Sequence, residues 1–478
     1  TMNNDCPNIL PIKTPLQDYI YDVNLNTFVP VPQDVFQYAE KRLKNKNGTI
    51  EEKRKFDAMM EKGYFSSEHI KRINNPYSNY LPLLLSRNMS QILLQVTQGC
   101  NFRCEYCIYT ASIDGIQRKH TNKRMDFQTA KHAVDYLWNH SIDSDVVTIG
   151  FYGGEPLLEF ELIKQVILYT EKKFQGKIVH YAMTTNVSLL SIDKVEFLWK
   201  HDVHLVLSLD GPKEIQEKNR IYVGGKKSSY DVAVENLNHI REKFPEYIKR
   251  MNINIVINPM DDLDVVYSVF QDGQVFSGIH ALATTINDST LKVKNCESER
   301  FAEQLEYHNF LLLLNELGVK SSRQVYPLSE VIIESAKKKL KNRYSATQSV
   351  PYETAPGGMC VPGVYKLFVT VDGKLLTCER TNEPSNAGYL GDLSGGIELD
   401  RALKMLNVAK LTERQCQNCW AFRYCTNCIS HCDDGKDVNA KLRTMQCQKA
   451  RGNVYYTFRI MILLLNKNLL TLYRKENQ

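Results

Sequence analysis

Two periods of apolar and polar alternation run along this chain, and the changes between them divide it into segments. In "DYIYDVNLNTFVPVP", Asp18–Pro32, the two kinds of residue alternate about Asn24-Leu25-Asn26, which predicts a β-hairpin. Pro32–Leu43 and Glu51–Lys62 carry apolar residues at helical spacing, and a third, shorter helix is expected over Ser67–Ile73. Pro32 suits a first helical turn, where no backbone N–H is needed. From residue 83 onward, strand-like and helix-like runs take turns. Strands are expected at Ile92–Thr97, Val146–Phe151, Val179–Thr184, Val203–Leu209, Asn252–Asn258 and Gly278–Thr284. Helices are expected at Phe127–Asn139, Glu159–Phe174, Ile192–Trp199 and Tyr230–Phe244. Repeated strand–helix units place the chain in the α/β class, with a parallel sheet that is either a barrel or open. In both, chemistry sits at the C-terminal ends of the strands.

Beyond residue 317 the periodicity weakens. Lys320–Thr354 is polar and basic and reads as a linker containing a helix, and a cysteine-rich stretch of short elements follows. A last helix is expected from Asn453. The segments are thus 1–82, 83–317, 318–355, 356–452 and 453–478.

Composition narrows the class. The chain has 478 residues, 43% hydrophobic and 24% charged, which suits a soluble protein of two or three domains. A net charge of +6 is too small to point to a nucleic-acid partner. The apolar run "IMILLLNKNLL" is broken by Asn466 and Lys467 and is too short to span a bilayer. With no secretion signal visible, a cytoplasmic location without a membrane partner is expected. The 13 cysteines fall unevenly, three at 100–107 and eight at 360–447, with Cys6 and Cys296 apart. In a reducing compartment such clusters hold metal more often than they form disulfides.

The first cluster, "VTQGCNFRCEYCIYT", follows an expected strand and offers Cys100, Cys104 and Cys107. A structural zinc wants four ligands, usually from C-x2-C pairs, and no neighbouring histidine supplies the fourth. A [4Fe–4S] cluster is held by thiolates, and three of them leave one iron open to a substrate or cofactor. With Tyr106 before the third cysteine, this loop resembles the signature of the radical S-adenosylmethionine superfamily. Further matches follow in order: "GFYGGEP", Gly150–Pro156; "TTN", Thr184–Asn186; "SLDGP", Ser208–Pro212; and Arg220. The resemblance implies a partial (βα)6 TIM-like barrel that binds S-adenosylmethionine. Tyr106, Gly153, Gly154, Glu155 and Pro156 would contact that cofactor, as would Thr185, Asn186, Ser208, Asp210 and Arg220. It also implies a reaction in which one electron cleaves the cofactor and a 5′-deoxyadenosyl radical takes a hydrogen from the substrate. An external donor such as flavodoxin or ferredoxin would supply the electron, under anaerobic conditions.

The second cluster is Cys360, Cys378, Cys416, Cys419, Cys425, Cys428, Cys432 and Cys447, with Gly373 five residues before Cys378. It resembles the SPASM extension of peptide and protein maturases, which carries two auxiliary [4Fe–4S] clusters and brings the total to three. That pattern assigns Cys416, Cys419, Cys425 and Cys447 to the outer cluster. Cys360, Cys378 and one or both of Cys428 and Cys432 would hold the inner one. The chain departs from the pattern at Ile429, where a cysteine is usual. Glu379 stands where sulfatase-maturing relatives place a catalytic base. The N-terminal hairpin and helices resemble the leader-peptide recognition domain of ribosomal peptide-modifying enzymes, a winged-helix-like fold akin to the pyrroloquinoline quinone chaperone. Together these imply a maturase of a ribosomally made precursor peptide that installs a crosslink, either a cysteine thioether or a carbon–carbon bond. Formylglycine formation on a sulfatase is a second possibility, and a zinc-binding scaffold without enzyme activity a third. The basic loop Ala111–Met125 could line the peptide's path.

Overall fold

The computed structural model describes residues 6–15, 17–109, 119–286, 297–319, 324–358 without 344–349, and 360–466. Most of the basic loop and Cys296 lie outside them. Strands β1 (Ile9–Ile12), β2 (Asp18–Asp22) and β3 (Thr27–Val31) form an antiparallel sheet in that order. Asn26 takes the tight turn with φ 51°. Helices α1 (Gln33–Leu43) and α2 (Ile50–Glu61) follow, and a Thr49–Glu52 capping box starts the second. One face of this sheet packs on the two helices through Ile20, Val29, Val35, Phe36 and Phe56. The expected third helix is absent. Ser67–Lys71 has no helical turn, and β4 (Arg72–Ile73) instead pairs with β11 (Glu353–Thr354), some 280 residues away.

After α3 (Leu81–Arg87) all six expected strands form, to within a few residues of the expected ends: β5 (Gln91–Thr97), β6 (Val146–Gly153), β7 (Ile178–Thr185), β8 (Val203–Ser208), β9 (Asn252–Ile257) and β10 (His280–Thr285). They are parallel and adjacent in chain order. Between β5 and β8 lie α4 (Phe127–His140), α5 (Phe160–Lys173) and α6 (Ile192–Lys200); α7 (Lys213–Asn219), α8 (Ser229–Lys243) and α9 (Pro245–Ile248) follow β8, and α10 (Leu263–Tyr267) follows β9. Asp126 and Ser228 cap α4 and α8 by accepting from backbone N–H groups. The near-continuous apolar run Ile92–Leu94 of β5 suits a strand covered on both faces.

Two long helices, α11 (Glu299–Glu316) and α12 (Pro327–Arg343), lead into the cysteine-rich segment. That segment does not fold as a separate sheet. Strand β12 (Leu367–Val369) pairs parallel with β5, and β13 (Lys374–Leu376), β14 (Tyr389–Asp392) and β15 (Gly396–Ile397) extend it antiparallel. One ten-stranded mixed sheet results. After it come α13 (Leu399–Leu406), α14 (Glu413–Gln417), α15 (Ala440–Met445) and α16 (Cys447–Leu465). The long final helix covers the second face of the N-terminal sheet, with Phe458 against Tyr21 at 4.4 Å and Phe28 at 5.1 Å between ring centroids. Arg423 of the cysteine-rich segment donates to the hairpin carbonyls of Val23 (2.7 Å) and Asn24 (3.0 Å). No helix among the described residues is long and apolar enough to cross a membrane.

Candidate active site

The C-terminal ends of the parallel strands surround a cavity of about 350 Å³. Cys100, Cys104 and Cys107, on the loop leaving β5, all line it. So do Tyr106, Gly153, Gly154 and Glu155, and further round Thr185, Asn186, Ser208 and Arg220. Of the expected cofactor contacts, Pro156 and Asp210 are not on this wall. Pro156 begins a short 3₁₀ turn.

Asp210 is wholly buried and faces its neighbours. Its Oδ2 accepts from the Tyr106 hydroxyl at 2.6 Å, and its Oδ1 from Arg220 Nη2 at 2.9 Å and Val256 N at 3.1 Å. The Arg220 guanidinium also stands 5.4 Å from the Tyr106 ring centroid. Burial works against the Arg220 charge, but Asp210 overrides it and holds the guanidinium cationic. Arg220 Nε is buried with no partner. An anionic group in the cavity would satisfy it, as the carboxylate of an amino-acid cofactor can.

Glu155 is held by three donors: Thr185 Oγ1 at 2.8 Å, Asn186 N at 2.8 Å and Leu157 N at 3.1 Å. Burial raises its pKa, and the Asn186 N–H opposes the rise. Asn186 also donates to Asn101 Oδ1 at 2.9 Å, and so ties the end of β7 to the cysteine loop. The two glycines have a reason the sequence reading missed. A Cβ at Gly153 would lie 2.2 Å from Thr97 O, and one at Gly154 2.0 Å from Gly99 O. They admit the backbone of the cysteine loop from behind.

Burial pushes Cys100 up to about 12, with the Glu155 carboxylate adding to the rise. Cys104 also goes to about 12 by burial, against the pull of Arg220. Both thiols are therefore protonated at neutral pH, and each must lose its proton to bind iron. Iron affinity should climb with pH throughout the range below 12. Anaerobic reconstitution at pH 8.5 is expected to load the loop several-fold more completely than at pH 6.5, measured as bound iron and visible absorbance. A flat profile would contradict this arrangement.

Cys416, Cys419, Cys425 and Cys447 line a second, small cavity of about 40 Å³ beside the buried Arg443. Cys360, Cys378 and Cys428 form a third set: the charge of Cys428 bears on both of the other thiols. The charge of Cys428 bears on Cys432 as well; the Cys432 thiol is fully buried, 3.2 Å from Ile429 O and 3.5 Å from Cys428 O, and burial pushes it up to about 11. Glu379 and Arg380, directly after Cys378, reach the wall of the first cavity. Lys366 Nζ lies 3.1 Å from the Glu379 carboxylate, a partner the sequence did not identify. Among the described residues no three His, Cys, Asp or Glu side chains converge on a point that could hold one metal ion. The thiolates of an iron–sulfur cubane each bind a different iron and need no such convergence.

Residues 94–269 match the family model described as the radical SAM superfamily. Radical SAM cyclopropyl synthase TigE of Paramaledivibacter caminithermalis is 23% identical over 353 residues, 70% of this chain and 66% of TigE. A cysteine-type anaerobic sulfatase-maturating enzyme of Clostridium perfringens is 22% identical over 390 residues, 79% of this chain and 98% of that enzyme. An uncharacterised protein of Methanocaldococcus jannaschii is 37% identical over 143 residues, 30% of this chain and 46% of that protein. The match thus covers under two thirds of both the Methanocaldococcus protein and TigE. The solved structure of native anSMEcpe with bound AdoMet shares the fold, with a TM-score of 0.57 at 20% identity, over 79% of this chain and 100% of that one.

Proposed function

We propose that this chain, whose residues 94–269 are a radical SAM superfamily domain, matures a ribosomally made precursor peptide by closing a crosslink, a cysteine thioether. The observation that carries this reading is the place of Glu379 and Arg380. They follow Cys378 directly and stand on the wall that Cys100, Cys104 and Cys107 also line, so the residues directly after Cys378 border the first cavity. When bound, a [4Fe–4S] cluster with S-adenosylmethionine would supply the reducing electron and the hydrogen-abstracting radical.

The chain's own residues do the rest. Cys100, Cys104 and Cys107 hold the cluster, and Glu155, Asn186, Ser208 and Arg220 orient the cofactor. Cys416, Cys419, Cys425 and Cys447 hold an outer auxiliary cluster. The proposed inner set is Cys360, Cys378 and Cys428; the 3.2 Å contact of the Cys432 thiol with Ile429 O supports leaving Cys432 out. If those three thiols held a cubane, one iron would stay open to the sulfur of a substrate cysteine. Glu379, whose carboxylate lies 3.1 Å from Lys366 Nζ, would take the proton from that sulfur. Cys428→Ser is then expected to lower the iron content by about four per chain, one cubane, whereas Cys432→Ser keeps it. Equal loss in both variants would contradict the assignment.

The N-terminal sheet serves as the leader-binding element. Its faces are covered by α1 and α2 on one side and α16 on the other, so an incoming extended peptide can join only at an edge, as an added strand. About a fifth of this chain lies outside the match to anSMEcpe, which leaves room for such an element. A reduced flavodoxin or ferredoxin would serve as electron donor.

Mass spectrometry tests the reading. Incubation with the precursor peptide, S-adenosylmethionine and reductant should remove two hydrogens and leave the cysteine sulfur in place but unreactive to alkylation. A second reading, formylglycine formation, draws support from the 98% coverage of the Clostridium perfringens enzyme. From cysteine it costs the sulfur; from serine it removes two hydrogens but leaves every cysteine open to alkylation, so either is told apart from a thioether. An unchanged peptide mass contradicts both.

A further inference from the structure

A cavity of about 400 Å³ lies between α10, α11 and the start of α12, and shares no lining residue with the cofactor cavity. His308, on α11, is 2% exposed and forms part of its wall. The ring's Nε2 lies 2.9 Å from Asp264 Oδ1, so that nitrogen carries the proton and Nδ1 is left as a bare acceptor. That Nδ1 is buried and has no partner. Burial lowers the His308 pKa and keeps the ring neutral. A buried acceptor without a donor is costly, and the residue that carries it lines the cavity.

The rest of the wall is aromatic and acidic. Tyr326 stacks on His308 with centroids 4.3 Å apart at 25°, and Tyr267 stands 5.7 Å from the same ring. Tyr307, 59% exposed, stands at the mouth. The Asp264 side chain is 66% exposed at the rim and also accepts from Gln304 at 2.9 Å. Asp262 and Glu330 add negative charge nearby, the first bound by Arg300 and the second accepting from Tyr326 N. Among the described residues no lysine or arginine lines the cavity.

A bare nitrogen acceptor, a rim carboxylate and aromatic faces form the complement of a cation with N–H donors. We propose that this pocket binds the guanidinium or ammonium end of an arginine or lysine side chain presented by a polypeptide. One N–H would donate to His308 Nδ1, the charge would face Asp264, and the plane or stem would lie along Tyr307 and Tyr326. The proposal stands apart from whatever the cofactor cavity catalyses.

Calorimetric titration of the full chain with N-acetyl-argininamide and N-acetyl-lysinamide tests it. Saturable binding of at least one is expected, with the uncharged isostere N-acetyl-citrullinamide at least tenfold weaker. Asp264→Asn should weaken binding of the cation about tenfold. Tyr307→Ala, at the mouth, should weaken it several-fold and provides a second variant should Asp264→Asn fail to fold. Spermidine serves as the arm for a free polyamine. Binding of spermidine but of neither capped amide would overturn the polypeptide source. Absence of saturable binding, equal binding of the citrulline analogue, or unchanged affinity in both variants would overturn the site.

Discussion

Gly154→Ala is expected to strip iron from the three-cysteine loop and to abolish 5′-deoxyadenosine formation. The added Cβ would lie 2.0 Å from Gly99 O, 2.5 Å from Gly99 C and 3.0 Å from Cys100 Cβ. The first two are backbone atoms, so no side chain can swing away to relieve the clash. The loop itself must move, and Cys100 moves with it. Two hydrogen bonds that fasten it, Gly154 N to Thr97 O at 3.0 Å and Glu155 N to Gly99 O at 2.9 Å, would be lost with that movement. The iron content should fall by about four per chain, one cubane, and the rest should stay. Gly452→Ala is the matched control. Nothing lies within 4 Å of a Cβ there, and the residue is inside α16. That change should keep the iron and raise stability by about 0.5–1 kcal/mol through helix propensity. An active, fully loaded Gly154→Ala protein would show that the loop and strand β6 are not packed as described.

Asp210→Ala should have the second largest effect. It leaves the Arg220 guanidinium, 7% exposed, without its carboxylate, and the Tyr106 hydroxyl without its acceptor. Removing one partner of a buried ion pair costs about 3–5 kcal/mol. Tyr106→Phe loses one hydrogen bond to a charged group, about 1.5–3 kcal/mol, and keeps the pair. The melting temperature should therefore fall further in Asp210→Ala than in Tyr106→Phe. Because Tyr106 lies between Cys104 and Cys107, both variants should also weaken S-adenosylmethionine binding, measured on protein loaded before the cofactor is added. If Asp210 were instead a direct cofactor contact, Tyr106→Phe would leave that affinity untouched.

Strands β5 to β10 were legible because each is a short apolar run bounded by turn residues. The helices between β5 and β8, and α8, were legible by their period. The segments that failed share one cause. β4 and β12 are stabilised by pairing with residues about 280 positions away, which no local window contains. Ser67–Ile73 has enough apolar residues to suggest a helix, and only its partner Glu353–Thr354 makes part of it a strand. In the site, cysteine spacing was informative because one loop carries three thiols. The purpose of Gly153 and Gly154 was not, because the crowding atoms belong to the loop after β5. Asp210 was named for its place after β8; its side chain serves Tyr106 and Arg220. Between Cys428 and Cys432 the spacing leaves the choice open; both thiols sit close together, Cys432 Sγ lying 3.5 Å from Cys428 O and 3.2 Å from Ile429 O. Lys366 beside Glu379 and the His308 pocket had no sequence signal, since both arise from residues brought together by folding.

The central claim is that Cys100, Cys104 and Cys107 form, with the strand ends around them, a reductive S-adenosylmethionine site. The most direct measurement is chromatographic detection of 5′-deoxyadenosine after anaerobically reconstituted protein is mixed with S-adenosylmethionine and dithionite, with no peptide present. The account predicts 5′-deoxyadenosine from the intact chain and none from Cys104→Ala. Iron-loaded intact protein that leaves S-adenosylmethionine uncleaved, or Cys104→Ala protein that cleaves it at the same rate, would contradict it.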